Sequence, residues 1–90
     1  MVKINQPICE TDYIGNKRWY LNDQLHREDG PAIECIDGYK AWYFYDQRHR
    51  LDGPAIEHAN GYKLWFYHGQ YISCSSQKRF ERLIKLKALW

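Results

Sequence analysis

No stretch of this chain is apolar for long enough to cross a bilayer. The opening Met1-Val2-Lys3-Ile4-Asn5-Gln6 also lacks the apolar core of a secretory signal peptide. These two absences exclude a membrane role and make the cytoplasm the expected setting. Cysteine is scarce: Cys9, Cys35 and Cys74 are odd in number and form no Cys-x-x-Cys pair, so reduced, buried thiols are expected and a disulfide framework is not. His26, His49, His58 and His68 show no short regular spacing, whereas structural zinc requires close ligand pairs; no metal site is expected. No Gly-rich phosphate loop and no nucleophile motif appear, so neither a cofactor nor an enzymatic activity is expected.

What the chain has instead is repetition. Trp19, Trp42 and Trp65 stand 23 residues apart, as do Gly15, Gly38 and Gly61, and Lys17, Lys40 and Lys63. His26-Arg27-x-Asp29-Gly30-Pro31-Ala32-Ile33-Glu34 recurs as His49-Arg50-x-Asp52-Gly53-Pro54-Ala55-Ile56-Glu57. A tandem repeat of this kind fixes the architecture first. Residues that recur in every unit are most simply explained by the folding of the unit, and those that differ between units are where recognition is to be sought. With 90 residues the chain is one small domain, and an aromatic content of 17% favours pleated structure.

Each unit carries a hairpin signal. Pro31–Ile36 leads through Asp37-Gly38 into Tyr39–Tyr45, and Pro54–Ala59 leads through Asn60-Gly61 into Tyr62–Tyr67. Asp-Gly and Asn-Gly suit a two-residue type I′ turn. That register places Ile33 opposite Trp42 and Ile56 opposite Trp65, on one buried face with Phe44 and Tyr67. Second turns are expected at Asp23-Gln24, Asp46-Gln47 and Gly69-Gln70, and corners at Asp29-Gly30-Pro31 and Asp52-Gly53-Pro54. The whole predicts a mainly β fold, an antiparallel meander of stacked 23-residue hairpins. Residues 1–14 form a degenerate half-repeat in which Cys9 takes the slot of Ile33, and residues 15–74 hold the hairpins.

Residues 75–90 change character. Ser75 or Ser76 supplies an N-cap, and neither Gly nor Pro follows. Phe80, Leu83, Ile84 and Trp90 share one side at helical spacing, opposed by Lys78, Arg79, Arg82 and Lys85, with Lys87 interrupting the apolar stripe. An amphipathic helix capping the open end of the stack is predicted. Net charge over the chain is +2, but residues 76–90 hold five cations against one carboxylate while the rest holds eight against ten. A slightly acidic body thus ends in a basic tail, which marks a partner surface.

The string His-Arg-x-Asp-Gly-Pro-Ala-Ile-Glu, followed by Asp/Asn-Gly-Tyr-Lys-x-Trp, resembles a repeat of small proteins from tailed bacteriophages and some bacteria. More loosely, it is similar to MORN-type repeats, though it lacks their Tyr-x-Gly-x-Trp opening. The likeness spans residues 15–72. It implies a β-hairpin scaffold and a phage origin, and it brings no catalytic residues.

His49, Arg50 and Asp52 could be arranged for acid–base chemistry, but their duplication as His26, Arg27 and Asp29 favours a structural role, with Arg paired to Glu34 or Glu57 and Asp bonded into the turn. Tyr20, Tyr39, Tyr43, Tyr45, Tyr62 and Phe66 are expected on the face opposite the Ile/Trp row. The columns that vary between units are Arg18/Ala41/Leu64, Asn22/Tyr45/His68 and Leu25/Arg48/Tyr71. From these and the helix, Arg18, Tyr45, Arg48, His68, Tyr71, Lys78, Arg79, Arg82 and Lys85 are the expected partner-binding residues. The leading reading is a non-catalytic protein that binds and inhibits a host protein such as a defence factor. The alternative is an RNA or single-stranded nucleic-acid binder using the helix and exposed tyrosines. Open sheet edges leave room for a dimer.

Overall fold

The structure is a computed structural model and describes residues 5–87. In chain order the strands are β1 (Ile8–Thr11), β2 (Lys17–Leu21), β3 (Gln24–Leu25), β4 (Ile33–Glu34), β5 (Lys40–Ala41), β6 (Tyr43–Phe44), β7 (Gln47–Arg48), β8 (Ile56–Glu57), β9 (Lys63–Tyr67) and β10 (Gln70–Ile72); the helix α1 (Gln77–Lys87) follows. Every pairing is antiparallel. One sheet runs β1-β2-β4-β5-β8-β9-β10 with β3 beside β2, and β6-β7 form a separate ladder. The chain is the mainly β meander with a C-terminal helix that the repeat implies.

Each unit makes two turns, and the two-residue turn expected at Asp/Asn-Gly is found instead at the second position. Asp37-Gly38 is not a two-residue turn. Gly38 N–H bonds the Cys35 carbonyl at 3.0 Å and Cys35 N–H bonds Tyr39 O at 2.9 Å, enclosing Ile36-Asp37-Gly38 in a three-residue loop. Gly38 (φ +102°) and Gly61 (φ +90°) take the left-handed position that closes such a loop. Asp37 and Asn60 instead accept hydrogen bonds from the N–H groups of Tyr39 and Tyr62, both at 3.0 Å. The two-residue turns fall at Asn22-Asp23, Tyr45-Asp46 and His68-Gly69, one residue earlier than expected, and all six residues have positive φ.

The longer loop shifts the register by one residue. Ile33 opposes Ala41 and Ile56 opposes Leu64, so neither isoleucine faces a tryptophan. Because side chains alternate along a strand, this slip divides the expected seam between the two faces of the sheet. One face buries Ala41, Ala55, Ile56 and Phe66, with Ile33, Tyr39, Tyr43 and Leu64 packed against them. Phe66, expected on an exposed face, is therefore part of the core. The other face carries the indoles. Along it, the ladder places Lys17 opposite Glu34, Glu34 opposite Lys40, Lys40 opposite Glu57 and Glu57 opposite Lys63. This alternation of sign accounts for the recurrence of Lys and Glu.

The N-terminal half-repeat keeps the 23-residue offset of the later units, which places Cys9 one position away from the isoleucine slot. Glu10 opposes Arg18 as Ile33 opposes Ala41, so Glu10 takes the isoleucine slot. Cys9 moves to the alanine slot and is exposed, while Cys35 and Cys74 are only partly buried. For Cys9 the expectation of a buried thiol fails because the edge strand β1 is exposed along its whole length.

Candidate functional site

The repeated motif is consumed by contacts within and between units. The Arg27 guanidinium lies 3.8 Å over the Trp19 ring and Arg50 lies 3.8 Å over Trp42. Arg27 donates to Asp29 (3.0 Å), the Pro31 carbonyl (3.1 Å) and Glu34 (3.4 Å). Arg50 does the same to Asp52 (3.0 Å), the Pro54 carbonyl (3.1 Å) and Glu57 (3.0 Å). The aspartates thus hold the arginine, where a bond into the turn had been expected. Ala32 and Ala55 are wholly buried, and their carbonyls accept from the N–H of Trp19 (2.8 Å) and Trp42 (2.7 Å).

Histidine links each unit to the next. His26 Nδ1 accepts from Tyr45 N–H at 3.0 Å, and His49 Nδ1 accepts from His68 N–H at 2.8 Å. The Tyr45 ring meets His26 tilted by 35° with centroids 4.1 Å apart, and His68 stacks on His49 at 4.0 Å. Two of the expected partner residues, Tyr45 and His68, are accordingly engaged in joining units. Burial, and then the neighbouring His68, holds the His49 pKa below its ordinary value. The neutral ring is the native form, so its stabilising contribution is present above pH ~6.5 and declines as pH falls through that unfolded value toward the lower folded one. Wild type should lose more of its urea midpoint between pH 7.5 and 5.5 than His49→Asn; equal losses would remove His49 from the linkage.

In the third unit Ser73 stands where Arg27 and Arg50 stand, and the indole is covered differently. Trp65 packs with Ile72 and the fully buried Phe80, joined by Leu83 and Ile84 from α1. Trp65 Nε1–H donates to Gln77 Oε1 at 2.8 Å, and Gln77 Nε2 donates to the Leu51 carbonyl at 2.8 Å. Ser76 Oγ caps the helix by accepting Arg79 N–H at 3.2 Å. The helix therefore sits on the indole face, as the predicted cap. Trp90, assigned to its apolar stripe, lies outside the described residues. Lys78, Arg79, Arg82 and Lys85 are exposed on it, with no carboxylate in salt-bridge contact among the described residues.

The opposite face presents a second array. Across the two-residue turns Tyr20 pairs with Leu25, Tyr43 with Arg48 and Phe66 with Tyr71. Neighbouring hairpins are joined by Asp46 N–H to Leu25 O (2.8 Å) and Gly69 N–H to Arg48 O (2.7 Å). Six side chains thus follow one another across the face. Arg48 lies 5.3 Å from the Phe66 centroid and donates to the Tyr43 hydroxyl at 3.2 Å; Phe66 meets Tyr71 edge-on at 5.6 Å. Arg48 is exposed and Tyr71 is 52% exposed. An open cleft of about 700 Å³ adjoins them, lined by Tyr43, Asp46, Arg48 and His68 among others.

Of the nine residues singled out by sequence, Arg48 and Tyr71 come together on this face. Arg18 shares the face but is drawn to Asp12 at 3.9 Å. The four helix cations lie on the other side of the sheet. Tyr43 and Phe66 complete the array and were not among the nine; their signal was the register of the Tyr45-Asp46 and His68-Gly69 turns. Among the described residues no cluster of three His, Cys, Asp or Glu side chains suited to a metal is present, and no helix is long and apolar enough to cross a membrane. No protein-family model, curated protein or solved structure matches the chain.

Proposed function

We propose that this chain is a non-catalytic binding protein that engages a protein partner through Tyr43, Arg48 and Tyr71, with the buried Phe66 ring supporting them from the core. The observation that carries this reading is the placement of the exposed Arg48 and Tyr71 and the half-buried Tyr43 around the buried Phe66 ring on a hydrogen-bonded scaffold. Tyr and Arg dominate binding hot spots, and rings already packed against one another lose little conformational freedom on association. The His-Arg-x-Asp motif, by contrast, is occupied in holding units together, which argues against acid–base catalysis. The resemblance to phage repeat proteins supplies the setting: a phage-encoded chain in the host cytoplasm, whose partner is a host protein such as a defence factor that it inhibits.

The arrangement of charge favours a protein over a nucleic acid. A single strand following the helix cations would run along the indole side, away from the aromatic array, whereas stacking and phosphate contacts must share one path. The test is quantitative affinity capture from nuclease-treated host lysate. Arg48→Ala/Tyr71→Ala should lower capture by about tenfold or more. Glu at positions 78, 79, 82 and 85 should leave most of it. The opposite pattern would transfer the function to the helix.

A further inference from the structure

Arg48 differs from every other arginine of the sheet body. Arg18 approaches Asp12, and Arg27 and Arg50 each bond two carboxylates. Arg48 has no carboxylate partner among the described residues, yet its position is fixed. Its Nε donates to the Tyr43 hydroxyl at 3.2 Å and its guanidinium lies 5.3 Å from the Phe66 centroid. Its backbone is locked as well, since Arg48 O accepts Gly69 N–H at 2.7 Å. The nearest turn carboxylate, Asp46, is turned away to accept Leu25 N–H at 2.6 Å. The Nη pair is therefore left without an acceptor among the described residues, on an exposed side chain beside the half-buried Tyr43 and the buried Phe66 ring.

A guanidinium held this way is a preformed fork for a planar two-oxygen acceptor. Resting on the binding face proposed above, we infer that Arg48 receives an acidic side chain of the partner protein, one flanked by apolar residues that pack on the exposed Tyr71 and the half-buried Tyr43. Charge complementarity selects the carboxylate. The composition of the face selects a protein segment over a phosphate strand, because this array offers one cation among rings. A polyphosphate backbone presents a charge at every step and is matched by a track of cations.

The probe is a dodecapeptide display library selected on the intact chain, with selected peptides titrated against wild type and variants. The expected peptides carry an Asp or Glu beside apolar residues. Changing that acid to its amide should weaken binding by about tenfold, and the discrimination should vanish with Arg48→Gln, whose fold is checked by its far-ultraviolet spectrum and melting temperature. Arg48→Lys should recover only part of it, because an ammonium lacks the fork. If the peptides bind and compete with Tyr71→Ala-sensitive contacts but contain no essential acid, the carboxylate assignment fails while the binding face stands. Peptides that select elsewhere on the chain would overturn both. Tighter binding of an Arg48-dependent oligouridylate than of any peptide would also overturn the assignment, in favour of phosphate.

Discussion

Replacing Phe80 by alanine should destabilise the protein by about 3–5 kcal/mol, the range for removing a fully buried phenylalanine. Among the described residues Phe80 is the largest wholly buried side chain and the only helix residue in that state. Its ring closes the cluster with Trp65 and Ile72. An isolated helix of 11 residues has little stability of its own in water, so α1 depends on this packing. For a domain this size the loss corresponds to a fall in melting temperature of more than about 12 °C, read by circular dichroism. Phe80→Leu, which keeps most of the volume, should cost much less. A Phe80→Ala protein that melts within a few degrees of wild type would show that the helix does not seal the stack.

Gly53→Ala should cost about 2–3 kcal/mol, far more than the methyl group suggests. A Cβ at Gly53 would stand 2.5 Å from the Arg50 Cζ, and one at Gly30 would stand 2.9 Å from that of Arg27. An arginine tip would ordinarily move aside, but here three acceptors and the Trp42 ring hold it. Displacing it forfeits the stack, worth about 0.5–1 kcal/mol at a partly exposed site, together with charge-assisted hydrogen bonds. Gly61→Ala provides the contrast: open space surrounds its Cβ, so only the positive φ is penalised, at about 1 kcal/mol. The cause is separable by a double-mutant cycle. In an Arg50→Ala background the Gly53→Ala step should become nearly neutral, a coupling of about 2–3 kcal/mol. Urea denaturation of the four proteins decides it, and additive effects would refute the clash.

The repeat period made the scaffold legible, because 23-residue recurrence of Trp, Gly and Lys leaves little alternative to stacked hairpins. The helix was legible too, since Ser76 and the spacing of Phe80, Leu83 and Ile84 are local signals. Register was not. Asp-Gly serves a two-residue turn, where both residues are left-handed, and also a three-residue loop, where only the glycine is. Choosing between them moves every later side chain to the other face. The type I′ positions were hidden for a tertiary reason. Tyr45 and His68 are unfavourable at positive φ, and what holds them there is a histidine from the preceding unit, 19 residues back. The same coupling explains why Tyr45 and His68 looked like recognition residues: their identity varies while their backbone role does not. Arg27 stacking on Trp19 was equally unreadable, because the motif names the donors and acceptors without saying that an indole lies beneath.

Ser73 carries a consequence for the size of the array. Where arginine occupies this position, the indole is covered from within its own unit and another hairpin follows; where serine does, the surface is surrendered to the helix. Length is thus set at a junction and not by the hairpins themselves. Splicing an added copy of residues 28–50 behind Arg50 would supply a new corner, turn pair and arginine lid, and the terminal seal would pass unchanged to the last hairpin. A longer ruler of the same gauge, with further rungs on each side of its sheet, is already implicit in the grammar of the chain.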